Sequence, residues 1–166
     1  MSDKSIYFFK SSYNYGFLSK CFPITFYINN IEFSCLEQAF IYYKCKYFEP
    51  TNEFLLNSIL QEPNPNKIKL IGNTVKNFRE NKWSAVKYDI MIKCIKSKFD
   101  CNEKYKQKLI ETSPSKLYDA SSYDRIWGIG YDSSQAISVN PKHYGENLHG
   151  KALEQIREEY LIQNKI

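Results

Sequence analysis

The chain has 166 residues, 43% of them hydrophobic and 25% charged, with a net charge of +5. This balance predicts one globular domain over 1–166 with a core of its own, and it excludes a disordered or fibrous chain. No apolar run is long enough to span a bilayer, no apolar leader follows Met1, and five cysteines without CxxC spacing predict free thiols in a cytoplasmic protein with no metal site.

In chain order, Ile6–Phe9 predicts a short strand. Thr25–Ile28, Asn29-Asn30 and Ile31–Phe33 predict a β-hairpin, because two Asn tolerate the positive φ of a tight turn. A helix is expected from Ser34 to Phe48, with Ser34 and Glu37 spaced as a capping box. Pro50 closes it, Thr51 is expected to cap a helix to Leu60, and Pro63-Asn-Pro65 breaks the chain. Asn66–Asn77 reads as helical, with Ile68, Ile71 and Val75 along one face. Ser84 is expected to cap a longer helix to Phe99, with Tyr88, Met91, Ile92, Ile95 and Phe99 as its apolar stripe and Trp83 just before it. A short helix over 102–111, a strand over 116–120, a loop-rich stretch over 121–144 and a last helix over 147–161 complete the chain.

The stretch from Asp124 to Gly130 sets an Asp three residues before Trp127, which Gly128 and Gly130 follow. A second glycine-flanked loop, Gly145–Gly150, opens the last helix. Glycines admit close backbone approach, a Trp offers a stacking face, an Asp can hold a ribose hydroxyl, and a helix N-terminus attracts phosphate. The parts read as a nucleotide or sugar pocket, and equally as a tight turn over a core Trp. Glu37 and Lys44 lie two turns apart on one helix, about 10 Å along its axis, so both project from one face. A carboxyl and an amine so placed can flank a small substrate, while the plainer roles are a helix cap and a surface lysine. Trp83 is either a hydrophobic staple or a second stacking face. Between Ile41 and Lys108, 14 Lys and Arg stand against 7 Asp and Glu, a segment charge of +7 that fits solvated helices or a collar for a phosphate-bearing ligand. His143 and His149 have no partner set that suggests a metal.

Taken together, the motifs resemble the NADAR family, the YbiA-like N-glycosidases. The resemblance runs from Tyr15 to Arg157. It rests on Tyr15-Gly-Phe-Leu-Ser19 with Phe22-Pro23, Glu37-Gln-Ala39 with Lys44, Gly72, Trp83 with Met91, and Lys98-Phe99. It continues through Leu109 with Thr112, Asp124-x-x-Trp-Gly-x-Gly130, and Gly145-x-Asn-Leu-x-Gly150 with Arg157. Three positions depart from the pattern: Lys20 and Cys21 stand where the family usually has Asn and Phe, and Gln38 where riboflavin-pathway members often have His.

The resemblance implies an α+β fold, one mostly helical domain with a small N-terminal antiparallel sheet. It implies hydrolysis of an N-glycosidic bond between ribose and an exocyclic amine. The substrate is then ADP-ribosylated guanine in nucleic acid or nucleoside, or a phosphorylated ribosylamino-pyrimidine of riboflavin synthesis. A non-catalytic module that binds ADP-ribose or NAD would keep the Trp-Gly loops and could lose Glu37 or Lys44. The implied catalytic residues are Glu37, Lys44 and Asp124, gathered with Trp127 around one pocket. The implied substrate-binding residues are Gly16, Phe17, Ser19, Trp83, Trp127, Gly128, Gly130, Asn147 and Gly150, with the start of the last helix facing phosphates. No cofactor, metal or membrane partner is implied. Two mechanisms are open: a lysine Schiff base with a ring-opened ribose, and direct displacement through an oxocarbenium ion.

Overall fold

The computed structural model describes residues 4–165. Its fold is mostly helical, with two small two-stranded sheets. The described residues form two compact units, one from 4–22 with 103–165 and one from 23–102.

The second unit begins with the expected hairpin. β2 (Phe26–Ile28) and β3 (Ile31–Phe33) pair antiparallel, and Asn29 and Asn30 take φ of 50° and 63° at the turn. These are the left-handed angles that a two-residue hairpin requires. Helix α1 (Leu36–Phe48) is buried on most sides, because α2 (Glu53–Gln61), α3 (Pro65–Gly72) and α4 (Glu80–Asp100) all pack on it. Gly72 marks the closest approach of α3, where a Cβ would fall on the Ile41 side chain.

Several helix starts differ from expectation. α2 is capped by the Asn52 side chain, which accepts from the Leu55 amide, rather than by Thr51. α3 ends at Gly72, and the chain then turns through Asn77 at φ 59° instead of remaining helical to that residue. α4 starts after Arg79, so Trp83 lies inside its first turn and is not a staple before a Ser84 cap. Ser84 instead donates its hydroxyl to Glu80 one turn back.

In the first unit, β1 (Ser5–Phe8) pairs with β4 (Lys116–Asp119), and the pairing is parallel. α7 (Leu148–Gln163) covers β4 and α5 (Glu103–Glu111), burying Ala152, Leu153, Ile156 and Tyr160. Arg157 is buried on this helix and donates to the Thr112 hydroxyl and the Ser115 carbonyl. The loop-rich stretch holds a single-turn helix, α6 (Ser133–Ala136), closed by a capping box between Asp132 and Gln135. No helix among the described residues is long and apolar enough to cross a membrane.

Candidate active site

Glu37 and Gln38 sit in the first turn of α1, and both are buried. The expected capping box is absent. Cys35 is the N-cap and makes no side-chain cap bond, while the Ser34 amide and hydroxyl donate to Gln38 Oε1 at 2.8 and 3.1 Å. Gln38 Nε2 in turn donates to the Ile59, Leu60 and Glu62 carbonyls at 3.0, 3.2 and 3.3 Å. Gln38 is therefore spent on the end of α2, where helix carbonyls run short of amide partners and, among the described residues, Ile59 alone of the three also accepts from the Glu62 amide. Relieved of a capping role, Glu37 is 4% exposed, and its Oε2 has no hydrogen-bond partner among the described residues. Native proteins rarely leave a buried acceptor unmatched, and such groups gather at working sites.

Lys44 is half-buried on the same helix. Its Nζ lies 5.0 Å from the Phe78 ring centroid and 5.9 Å from that of Trp83. It forms no salt bridge among the described residues. Trp83 also meets Phe40 and Phe48, at 5.4 and 6.3 Å between centroids, so one ring serves both the core and the lysine.

In the first unit, Asp124 Oδ1 accepts from the Ile126 and Trp127 amides at 2.9 and 2.8 Å. Its Oδ2 lies 3.7 Å from Lys20 Nζ. Burial pushes the Asp124 carboxyl up, but the Lys20 charge and the Trp127, Ile126 and Gly128 amides outweigh it and hold the group below the usual Asp range. Asp124 is thus a carboxylate at neutral pH, suited to accept from hydroxyls or a proton and unsuited to donate one. Lys20 is its ionic partner.

The two glycine-bearing loops form one paired structure. The amides of Gly145, Glu146, Asn147, Leu148 and His149 donate to the carbonyls of Ile129, Arg125, Gly128, Ile126 and Trp127. Gly145 is needed because a Cβ there would strike the Arg125 backbone. Asn147 takes φ 52° and does not cap α7; its side chain accepts from the Asp119 amide and donates to the Leu117 carbonyl, binding the edge of β4. A Cβ on Gly150 would meet that same Leu117 carbonyl. The expectation that the start of α7 faces phosphate is corrected here. The leading amides, those of Leu148 and His149, are already donated to Ile126 and Trp127, so an anion there would find neither of these two free.

Trp127 is buried beneath these loops, and Gly128 is close-packed, its Cβ position lying 2.9 Å from the Asp119 carbonyl. Gly130 has φ 76°, with the Arg125 side chain against it. Gly16, Phe17 and Leu18 form a buried 3-10 turn; the Phe17 ring stacks on Tyr105 at 5.9 Å, and Ser19 Oγ accepts from the Cys21 amide. The Lys20 to Asp124 pair joins this turn to the Asp124 loop. His149 donates from Nδ1 to Asp119 Oδ2 at 2.8 Å beneath it.

The structure thus places Glu37, Lys44 and Trp83 in the second unit, and Asp124, Trp127 and the glycines in the first. Sequence reasoning missed Phe78 as a neighbour of Lys44 and Lys20 as the partner of Asp124. Each contact spans chain segments far apart in sequence, and neither residue type is informative alone.

The NADAR domain family model matches residues 7–161, nearly the whole chain. The chain belongs to the NADAR family. A NADAR relative, N-glycosidase R617 of Acanthamoeba polyphaga mimivirus, is 33% identical over 167 residues, covering 95% of this chain and 97% of the relative. Protein irg-1 of Caenorhabditis elegans is 33% identical over 161 residues, covering 91% of this chain and 74% of that protein. The NMR structure of the E. coli protein YbiA superposes with a TM-score of 0.78 at 25% identity, covering 99% of this chain and 89% of YbiA. The mostly helical NADAR fold expected from the motifs is therefore the fold observed.

Proposed function

We propose that this chain is an N-glycosidase that hydrolyses the bond between ribose and an exocyclic amine, and that it removes ADP-ribose from ADP-ribosylated guanine. The observation that carries the reading is the buried Glu37 carboxyl with an unmatched oxygen, two turns from an amine held between aromatic rings. The relatives named N-glycosidase supply the reaction class. A glycosylamine lends itself to this pair. As the nitrogen lone pair forms an imine with C1, the ring C–O bond breaks and Glu37 gives the ring oxygen its proton. The Lys44 amine adds to C1 and expels the base as its free amine, leaving a Schiff base. Water adds to C1, the lysine leaves, and the ribose closes again. The net change is one water consumed and one C–N bond exchanged for C–O. Asp124, an acceptor only, is suited to bind hydroxyls.

Exposed aromatic rings support the choice of a substrate that carries two purines. Phe9, Tyr13 and Tyr123 are 39%, 66% and 72% exposed. Phe9 meets Tyr123 at 5.9 Å, and Lys10 lies over Tyr13 at 5.5 Å. A cleft of about 380 Å³ adjoins Phe9 and Tyr13, and another of about 480 Å³ lies beside Tyr15 and Phe17. ADP-ribosyl-guanine carries two purines that stack on such faces, where the pyrimidine intermediate carries one smaller ring.

A second reading is favoured by similarity to the riboflavin biosynthesis protein PYRR of Arabidopsis thaliana, 32% identical over 106 residues. It makes the substrate a phosphorylated ribosylamino-pyrimidine. Incubation with ADP-ribosylated guanosine and, separately, with that pyrimidine decides between them by which base is released. Release of guanosine alone supports the first reading. Release from the pyrimidine alone overturns it in favour of the second, and release from neither, with ADP-ribose bound, marks a binding module.

A further inference from the structure

We infer that Phe78 positions Lys44 for attack, an inference that rests on the role proposed for Lys44. Phe40, Lys44 and Phe48 recur every four residues along one face of α1, so their side chains stack one above another. Phe48 contacts both Phe78, at 5.1 Å, and Trp83. The Lys44 ammonium then lies over Phe78 and Trp83, with no carboxylate paired to it among the described residues. Trp83 is buried, whereas Phe78 is 40% exposed, so Phe78 forms the open wall.

Phe78 reaches this position through a loop held in place at both ends. Thr74 donates its hydroxyl to the Ile71 carbonyl as α3 finishes. The Lys76 amide donates to Glu49 Oε2, and Asn52 donates to Glu49 Oε1 at 3.1 Å. These two bonds hold the Glu49 carboxyl below its usual range, so it stays an acceptor at neutral pH. Asn77 at φ 59° then reverses the chain and turns Phe78 back over α1. The terminus of the helix that carries Lys44 therefore also fixes the ring above it.

The chemistry gives this arrangement a purpose. A nucleophilic lysine must be aimed at C1 and must also shed its proton. A carboxylate partner would aim it but bind the proton strongly. An aromatic face attracts the ammonium weakly and leaves the amine free to react once the proton has gone. Phe78 is a positioning residue that acts through Lys44.

The test compares Phe78→Leu, which keeps apolar volume without a ring face, with Phe78→Tyr, which keeps the face. Phe78→Leu is expected to lower kcat about 2- to 30-fold with KM little changed, the range that a cation–π contact spans. Phe78→Tyr is expected to hold kcat within about twofold of wild type, the lower edge of that range. A second readout does not depend on turnover. Lysines are converted to ¹³C-dimethyl-lysines, the Lys44 signal is assigned by its loss in Lys44→Arg, and its ring-current shift is read by NMR. That shift should shrink in Phe78→Leu and persist in Phe78→Tyr. Wild-type kcat in Phe78→Leu, an equal fall in both variants, or a change in KM alone overturns the inference. A fully active Lys44→Arg removes the role of Lys44 itself, so the two failures are distinguishable.

Discussion

Glu37→Gln should cost activity and raise stability at once. The substitution keeps shape and volume but replaces an ionisable carboxyl with an amide that is neutral at every pH. Removing a general acid–base group lowers turnover about 10²- to 10⁴-fold, or roughly 3–5 kcal/mol of barrier. The stability change comes from burial. Glu37 is 4% exposed, and one oxygen has no partner among the described residues. A buried unmatched polar atom costs about 1–3 kcal/mol, and more if it carries charge; an amide leaves a polar atom in place, so what it recovers is the added cost of the charge. A gain of about 1 kcal/mol in a chain of this size raises Tm by roughly 2–4 °C. Base release by chromatography and thermal unfolding by circular dichroism, on the same preparations, supply both numbers. Turnover within a factor of two of wild type, or a Tm lowered by several degrees, would refute the reasoning and return Glu37 to a structural role.

Three further outcomes are expected. Asp124 has a folded-state pKa below its unfolded one, so its contribution is complete above the unfolded value and is lost as pH falls through the folded one. The difference in urea midpoint between wild type and Asp124→Asn should therefore be full at pH 7 and shrink below about pH 4, and a difference independent of pH would contradict the assignment. Gln38→Ala should unfold about 1–3 kcal/mol earlier, because it strips the partner from carbonyls at the end of α2, and a denaturant midpoint unchanged from wild type would count against this. Trp127→Ala should lose several kcal/mol of stability, because Trp127 is buried under the paired loops, and any loss of ligand affinity must be judged against that loss of fold.

Turn chemistry and helical periodicity were legible in the sequence, and contacts between distant segments were not. Asn29-Asn30 predicted its hairpin because only a few residue types accept the backbone angles of that turn. The stripe of α4 was legible because Met91, Ile95 and Phe99 repeat at helical spacing and are all buried. Helix starts were less legible, since several candidate caps adjoin each other: Thr51 beside Asn52 before α2, and Ser34 beside Cys35 before α1. The capping-box spacing of Ser34 and Glu37 was real, but Gln38, one residue further, took the Ser34 amide. The parallel pairing of β1 with β4 left no mark in either strand, because register across a whole chain is decided by packing. In the candidate site, helical spacing placed Glu37 and Lys44 on one helix, and both lie on α1. The work of Asn147 and Gly150 was not legible, since a glycine-flanked loop reads alike whether its backbone meets a ligand or, as here, the edge of a strand.

Covalent trapping tests the central claim most directly. With ADP-ribosylated guanosine turning over and borohydride added, the account predicts one reduced adduct on intact protein, mapping to Lys44 after digestion. That adduct should be absent in Lys44→Arg, which should also release no guanosine. An active Lys44→Arg enzyme, or brisk release with no adduct in the wild type, would contradict the Schiff base and leave direct displacement by water.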